Sequence, residues 1–478
     1  MSEWKKVKIG DICKIVKGTT GIASAEPGEY PLVVTAEERK TCSTYQFDCE
    51  AVCIPLVSSS GHGKKSLKNV HYQSGKFALG TILCAVIPNN PQELDACYLH
   101  QYLQFYKDII LVPLMKGAAN VSLSMKDIAT VEFPLPPIER QRELSNLFVS
   151  LQEKQKELSA EYEKQTDYAK LLRQNILQQA IEGNLTADWR KQNPVQKGNP
   201  DYDAEALFEQ IQKGEVSPSL PSQVAPRIAT ASSADSLRFV GLSATPSAGS
   251  NAARNARSKS LTPITDGEKP FEISEGWKWV RLGDVCNIIG GYAFNSLDLK
   301  PVGENYILRL GNIRNNQIRY EAKPAYVSNQ IIKNLDEYKA KLNDILLTMT
   351  GTRGKQDYLY SVIIKQEHLN TCQMFVNQRV CIIRPRLYPE FVYKCLHSDV
   401  LKNPIFDSAT GSANQANIGI KALNDWAIPF PPLKEQEEIV NKVERLLAKV
   451  TTLENQIQDR RLLSDKLIFG IIKENLEG

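Results

Sequence analysis

One stretch of this chain is written twice. "WKKVKIGDICKIVKG" at residues 4–18 returns as "WKWVRLGDVCNIIGG" at residues 277–291, with Trp, Lys, Val, Gly, Asp, Cys, Ile and a final Gly coinciding without a gap. A second pair follows in the same order, "PLPPIERQ" at residues 134–141 and "PFPPLKEQ" at residues 429–436. Between these landmarks the second copy is the longer. The copies converge again just ahead of the prolines, as "KGAANVSLSMKDIATVEFPLPP" and "TGSANQANIGIKALNDWAIPFPP". Ordered recurrence of this kind marks a tandem duplication, so the chain is expected to fold as two versions of one plan with diverged interiors. Alternating Val7 and Ile9, like Val280 and Leu282, predict a short strand closed by a Gly-Asp turn.

Each proline cluster opens a long charged segment. Proline suits the first turn of a helix because its φ already fits and its missing N–H is not needed there. Glu139 and Glu143, like Glu435, Glu437 and Glu438, place negative charge at the positive end of the helix dipole. Residues 138–182 and 433–477 contain no proline and no glycine except Gly470. They predict two helices of about 45 residues, roughly 65–70 Å long. Their apolar positions march in step: Leu144, Phe148, Leu151, Leu158, Tyr162, Leu172 and Ile176 in the first, Ile439, Val443, Leu446, Leu453, Ile457, Leu467 and Ile471 in the second.

Steps of three and four, or their multiples, make the seam of a coiled coil. Gln155, Gln165 and Arg460 interrupt it with polarity that can fix register. A small domain cannot cover so long a helix, so the two are expected to pair with each other rather than pack on separate bodies. Antiparallel pairing would set one globular unit at each end, related by a pseudo-twofold axis. Two similar modules so placed could face a duplex at separated sites, as dimeric DNA readers match half-sites.

Composition bounds the remaining choices. A chain of 478 residues exceeds one ordinary core. Net charge is +4 and the pI is about 8.4, a smaller excess than a solitary DNA-binding protein usually carries. Basic residues would have to be gathered on one face or supplemented by partners. The opening "MSEWKKVKIGD" lacks the apolar core of a signal peptide, and the longest nearly apolar run, residues 77–87, is too short for a bilayer. A cytoplasmic protein with no membrane partner is expected. The 10 cysteines include no CxxC pair; Cys42, Cys49, Cys53 and His62 come nearest to a cluster, at spacings of no usual zinc site, so no metal is expected. Residues 184–269 include "SPSLPSQVAPRIATASSADS" and "SATPSAGSNAARNARSKS". They read as a flexible Ser/Ala/Pro-rich connector with a short helix at 204–212. A basic arm around Arg254, Arg257 and Lys259 is the alternative to a solvated linker there.

The order "W…GD", variable core, "PxPPxxxQ" and long helix, repeated twice, resembles the specificity subunit of Type I restriction–modification systems. "PFEISEGWKWVRLGDV" at residues 270–285 looks like that family's lead into its second target-recognition domain, with Ser274 where proline is usual. "LLRQNILQQAIEGNLTADWR" at residues 171–190 looks like the close of its central conserved helix. The resemblance covers nearly the whole chain except the connector. It implies an α+β fold of two pseudo-twofold-related α/β target-recognition domains, residues 1–136 and 270–431, separated by a long antiparallel two-helix coiled coil. The spacer helices would be residues 137–183 and 432–478. It further implies a subunit without a catalytic centre that reads a bipartite double-stranded DNA sequence. Two modification subunits would bring S-adenosylmethionine and methylate adenine. Restriction subunits, up to two, would use ATP and Mg. This chain would hold no cofactor itself.

Direct readout needs donors and acceptors at base edges and cations at phosphates. In the first copy the apolar "AVCIPLV" runs into "SSSGHGKKS" at residues 58–66, a small, basic loop holding Ser59, Ser60, Gly61, His62, Gly63, Lys64 and Lys65. In the second, "DILLTM" runs into "TGTRGKQ" at residues 350–356, holding Thr350, Thr352, Arg353, Lys355 and Gln356. Lys64, Lys65, Arg353 and Lys355 are assigned to phosphate or guanine, and His62, Thr352 and Gln356 to base edges. The alternative is a solvated hairpin tip; a P-loop fails because Ser58 stands at its first glycine and Lys65 at its Ser or Thr. A second surface is "GAAN" with Asn120, and "GSANQAN" with Asn414, Gln415 and Asn417, amides suited to adenine or to capping a turn. "RLGNIRNNQIRY" at residues 309–320 adds Arg314, Asn315 and Asn316 in a turn between strands.

Enzymatic readings find little footing. "NPDY" at residues 199–202 lacks the second proline of the adenine-methyltransferase motif and has no Gly-rich loop upstream. The 5 histidines form no HExxH or triad-like pattern. Two further readings stay open: the specificity subunit of a methylase-only complex, and a helical protein–protein adaptor that binds no DNA.

Overall fold

A computed structural model describes residues 4–60, 63–214, 263–412 and 415–477. The chain divides into two compact units, Met1–Thr166 with Asn455–Gly478, and Asp167–Glu454.

In the first unit, strand Lys6–Lys8 pairs antiparallel with Glu132–Pro134, Val7 opposite Phe133. This brings the opening landmark of the repeat against its proline cluster. Between them a four-stranded antiparallel sheet runs in the order Cys13–Lys17, Leu83–Pro88, Ala51–Pro55, His71–Gln73. A second sheet joins Tyr30–Val33 in parallel to Lys76–Leu79. "AVCIP" is buried at every position, as a strand covered on both faces must be. Helix Ala96–Ile110, capped by Asp95, packs Tyr98 and Leu103 into a core that also takes Phe133, Leu144 and Phe148.

The second unit repeats the plan. Lys278–Arg281 pairs with Ala427–Phe430, Val280 opposite Ile428. A four-stranded sheet runs Cys286–Gly290, Val380–Pro385, Ile345–Thr348, Ser361–Ile363, and Asn305–Leu308 lies parallel to Gln373–Val376. Each copy of the strand-first, strand-last pattern thus closes its own α/β body.

The glutamine of each "PxPPxxxQ" has a structural task. Gln141 and Gln436 are both 0% exposed. Gln141 donates to the carbonyls of Pro136 and Glu93 and accepts from the backbone N–H of Asp95. Gln436 donates to the Pro431 carbonyl and accepts from the N–H of Tyr388. Asp95 and Tyr388 are the N-cap residues of helices Ala96–Ile110 and Pro389–His397. One buried amide therefore locks each long helix to the same helix start in its own domain.

The long helices are Ile138–Ile181 and Leu433–Glu477, and within each unit their segments run antiparallel. In the first unit Arg140 bonds Asn475 at 3.1 Å and Gln155 bonds Asp465 at 3.0 Å, while Leu476 shares the core with Leu144 and Phe148. In the second, Arg173 reaches Glu454 at 2.6 and 2.9 Å and Thr451 at 2.7 Å, and Ile176 packs in one core with Ile439 and Val443. The polar interruption at Gln155 is indeed a cross-helix contact.

The expected seam needs correction at three positions. Leu172, Leu453 and Leu467 are 42%, 46% and 62% exposed. In the second unit buried Ala169 and Ala180 join the expected Ile176 and the other helix's Val450 in one core, and half-buried Arg173 bonds across to Glu454. A helix near 3.6 residues per turn drifts against a strict heptad, so positions chosen seven apart leave the contact line.

The connector also needs correction at both ends. Residues 184–214 fold as the turn Asn184–Thr186 and helices Ala187–Gln192 and Ala204–Lys213. Leu207 and Ile211 are each 1% exposed in the second unit's core. The short helix expected at 204–212 is present as Ala204–Lys213, and what the sequence did not show is that its apolar face is buried rather than part of a flexible connector. Within "NPDY", the Pro200 and Asp201 carbonyls accept from the N–H groups of Leu433 and Lys434, each at 3.2 Å, satisfying orphan donors of the second long helix. Ser274, standing in for proline, donates to the Glu182 carbonyl at 3.0 Å. At the far end Glu268 pairs with the buried Arg281 at 2.7 and 3.0 Å, and those hydrogen bonds hold its carboxyl down at about 2. Arg254, Arg257 and Lys259 lie outside the described residues.

His71 makes the first unit acid-sensitive. It is 4% exposed, its Nδ1 lies 3.2 Å from Arg39 Nη1, and its Nε2 has no partner among the described residues. Burial, then the charge of Arg39, lowers its pKa from 6.5 to about 4. Burial likewise lowers the neighbouring His100. The unfolded chain takes up a proton near pH 6.5 that the folded chain refuses until about pH 4, so stability falls as pH falls through that window. Unfolding free energy should drop by about 2–3 kcal/mol between pH 7 and 4.5 from this group. The pH dependence of urea unfolding should flatten by that amount in His71→Asn; a variant curve parallel to the wild-type one would exclude His71 as the source.

Candidate nucleic-acid interface

The loop after each buried central strand meets the hairpin that precedes the proline cluster, and it does so the same way in both units. In the first, Val57 bridges Ser122, and Ser122 pairs with Lys116. Ser58 N–H donates to the Val121 carbonyl at 3.0 Å, and Gly63 N–H to the Ala119 carbonyl at 3.4 Å. The serines brace the loop. Ser58 Oγ donates to the Lys64 carbonyl at 2.5 Å, Ser59 Oγ accepts from Lys68 N–H at 3.0 Å, and Ser60 and Ser66 hydroxyls meet at 2.7 Å. Lys64, Lys65 and Asn120 are exposed beside one another's loops.

In the second unit Thr350 pairs with Asn417, and Asn417 with Thr410. Arg353 reaches across, its guanidinium donating to the Ala409 carbonyl. Asp357 accepts from Thr352 N–H at 2.5 Å, tightening the turn Arg353–Lys355, and Gln356 follows at φ 47°. Lys355, Gln356, Gln415 and Asn417 are exposed. The two surfaces that the sequence offered separately are thus one surface in each unit.

A glycine closes each hairpin. Gly117 has φ 122° and Gly411 φ 107°; a Cβ would fall 2.2 Å from the Asn120 carbonyl oxygen in one and 2.2 Å from the Gln415 oxygen in the other. Only glycine fits either place.

Charge on this surface is mostly unopposed. Lys64, Lys65 and Lys355 have no ion pair among the described residues, whereas Lys116 is held by Asp127 at 3.1 Å. Arg353 is exposed and gives one guanidinium nitrogen to the Ala409 carbonyl, which links the two loops. Gly61, His62 and Asn414 lie outside the described residues.

Arg314, Asn315 and Asn316 stand apart from this arrangement. Their turn joins strands Ile313–Arg314 and Gln317–Ile318. Asn315 Oδ1 accepts from Ser361 N–H at 3.1 Å, and Asn316 Oδ1 accepts from Tyr393 Oη at 2.6 Å. Arg314 lies over the Tyr360 ring at 5.2 Å. These side chains dock the turn on its own domain.

The sequence reading missed Lys116, Ser122 and Thr410 as partners that align the loops. The repeat held a signal: both stretches carry a glycine at the same place, and both end at the strand that pairs with the repeat's opening.

The chain is similar to the Type I restriction enzyme EcoAI specificity subunit of Escherichia coli, at 29% identity over 194 residues, 40% of this chain and 32% of that one. That match spans about a third of the relative's length. Similarity to the EcoDI specificity subunit of Escherichia coli, at 22% identity, covers 100% of this chain and 88% of the relative. A chain in a solved structure, described as the structural basis underlying complex assembly and conformational transition of the type I R-M system, shares the fold with a TM-score of 0.59 at 15% identity, over 100% of this chain and 98% of that one. A family model described as the Type I restriction modification DNA specificity domain matches residues 1–165 and 274–460. With both copies of the repeat covered, the chain belongs to the Type I restriction–modification DNA specificity family.

Proposed function

We propose that this chain reads a bipartite DNA sequence, one half with each unit, and directs adenine methylation and restriction by partner subunits. The observation that carries this is the twice-built loop-and-hairpin surface, with Lys64, Lys65 and Asn120 in one unit and Lys355, Gln356, Gln415 and Asn417 in the other. Cations there suit phosphates, and amides suit adenine edges. Family membership and likeness to named specificity subunits support the role of a reader rather than a catalyst. S-adenosylmethionine would enter with two modification subunits, and ATP with Mg through restriction subunits where these join. The cytoplasm is the compartment consistent with that work. No helix of the described residues is long and apolar enough to cross a membrane.

The test uses the full chain with its modification subunits and duplexes carrying randomised bases. Selection should return one bipartite sequence, and affinity should fall steeply as salt rises, because phosphate contacts release counterions. Exchanging residues 1–136 for those of another family member should change one half-site and leave the other. Absence of both sequence preference and salt-dependent DNA binding would favour the adaptor reading, and a change in both halves would sink the modular one.

A further inference from the structure

A turn outside both loops lies beside the same surface in the second unit. "QMFVNQRVCIIRP" at residues 373–385 aligns without a gap on "KFALGTILCAVIP" at residues 76–88. The backbone agrees. Met349 N–H donates to the Arg379 carbonyl at 3.0 Å, as Leu56 N–H does to the Ile82 carbonyl at 2.8 Å. Tyr292 bridges Asn377 as Thr20 bridges Gly80, both in parallel. A Cβ on Gly291 would meet the Asn377 oxygen at 2.2 Å, and one on Gly18 the Gly80 oxygen at 2.2 Å. The turn 377–379 is therefore the same turn as 80–82, held in the same place beside the central strand's end.

Its side chains differ. The first unit offers Thr81 and Ile82; the second offers Gln378 and Arg379, both exposed. With Thr350, Thr410, Gln415 and Asn417 these two line a depression of about 430 Å³. The hydroxyl of Thr350 is buried there without a partner among the described residues. Arg379 makes no ion pair among the described residues, and Arg353 beside it gives one guanidinium nitrogen to the Ala409 carbonyl. A free guanidinium fork matches guanine O6 and N7, and a glutamine amide matches adenine N6 and N7.

We infer that Gln378 and Arg379 are specificity-determining residues that contact base edges of the half-site read by the second unit. The inference rests on the DNA-reading role proposed above. It adds that the two units differ in readout at this turn, one with amide and guanidinium donors, the other with a hydroxyl and an apolar side chain.

The test is selection from randomised duplexes by the full chain with its modification subunits, comparing wild type, Arg379→Ala, Arg379→Lys and Gln378→Ala. Both side chains are exposed, so melting temperatures should match wild type and confirm that the variants fold. Arg379→Ala should lower base preference about tenfold or more at one or two positions of one half-site and leave the other half-site unchanged. Arg379→Lys should keep overall affinity yet lose the same preference, because an ammonium lacks the fork. Gln378→Ala should relax a neighbouring position. Unchanged preference in all three variants, or a uniform loss of affinity across sequences, would overturn the inference while leaving the reading role intact. Failure of the wild type to select any bipartite sequence would instead defeat the reading role.

Discussion

Glu435→Ala should destabilise the second unit by about 3 kcal/mol or more, read as a shift in its urea unfolding midpoint. Glu435 is 1% exposed. Its Oε1 accepts from Arg190 at 2.5 Å and from Thr186 at 2.6 Å, and its Oε2 accepts from Trp277 Nε1 at 2.8 Å. Removing the carboxylate strands a guanidinium and two further donors. The cost of breaking a buried pair comes mainly from the partner left behind. Arg190 is 21% exposed at its side chain, so water recovers part of the loss and the lower end of the usual range applies. Glu435→Gln should cost less, because it keeps one acceptor. The position is informative because Trp277 opens the second copy of the repeat, Thr186 follows the first long helix, and Glu435 begins the second. One carboxylate joins all three. The matching place in the first copy is Arg140, whose pairing with Glu143 is exposed at 42% and 66%; Arg140→Ala should cost under about 1 kcal/mol. Equal effects of the two substitutions would refute this account.

Gly411→Ala should abolish discrimination at the second half-site, with a loss of about tenfold or more in binding to the selected duplex, while global stability changes little. A methyl group there would lie 2.2 Å from the Gln415 oxygen at a φ of 107°, a conformation that side chains rarely accept. The hairpin must open, which displaces Asn417 from Thr350 and Thr410 and breaks the surface. Gly411, Ser412, Gln415 and Asn417 are exposed and Ala416 is the one described residue among them that enters the core, so most of the core of the unit is spared. Gly117→Ala should act in the same way on the first half-site, by its contact with the Asn120 oxygen. Each variant should affect one half only. Wild-type binding by the double variant would remove these hairpins from the interface.

Several features were legible before any coordinates. The prolines and early glutamates marked where both long helices begin, because an N-terminus demands a fixed φ and favours negative charge whatever surrounds it. The strand after each tryptophan was readable from alternation, and its partner strand lay at the other landmark. Two candidate loops were found from small and basic residues after apolar strands, and both reached the surface.

Other features could not be read in this way. Asn315 and Asn316 look like free amides in the sequence, yet Ser361 and Tyr393, far along the chain, occupy their acceptors. Leu172, Leu453 and Leu467 carry the right residue type in the right heptad place but face solvent. Whether a leucine is covered depends on the phase of the partner helix, which no local pattern records. The short helix expected at residues 204–212 is there, but its docking was not legible, because burial of Leu207 and Ile211 needs a core supplied by the second copy.

By itself, then, the sequence determined the duplication, the two long helices and the placement of a strand-end loop in each copy. These follow from periodicity, capping chemistry and repetition, which act over a few residues at a time. Only the tertiary structure decided which loop lies against which hairpin, which amides are already spoken for, and which face of each helix is covered. Those outcomes depend on contacts between residues distant in the chain, where hydrogen bonds and packing are satisfied only once the whole unit has closed.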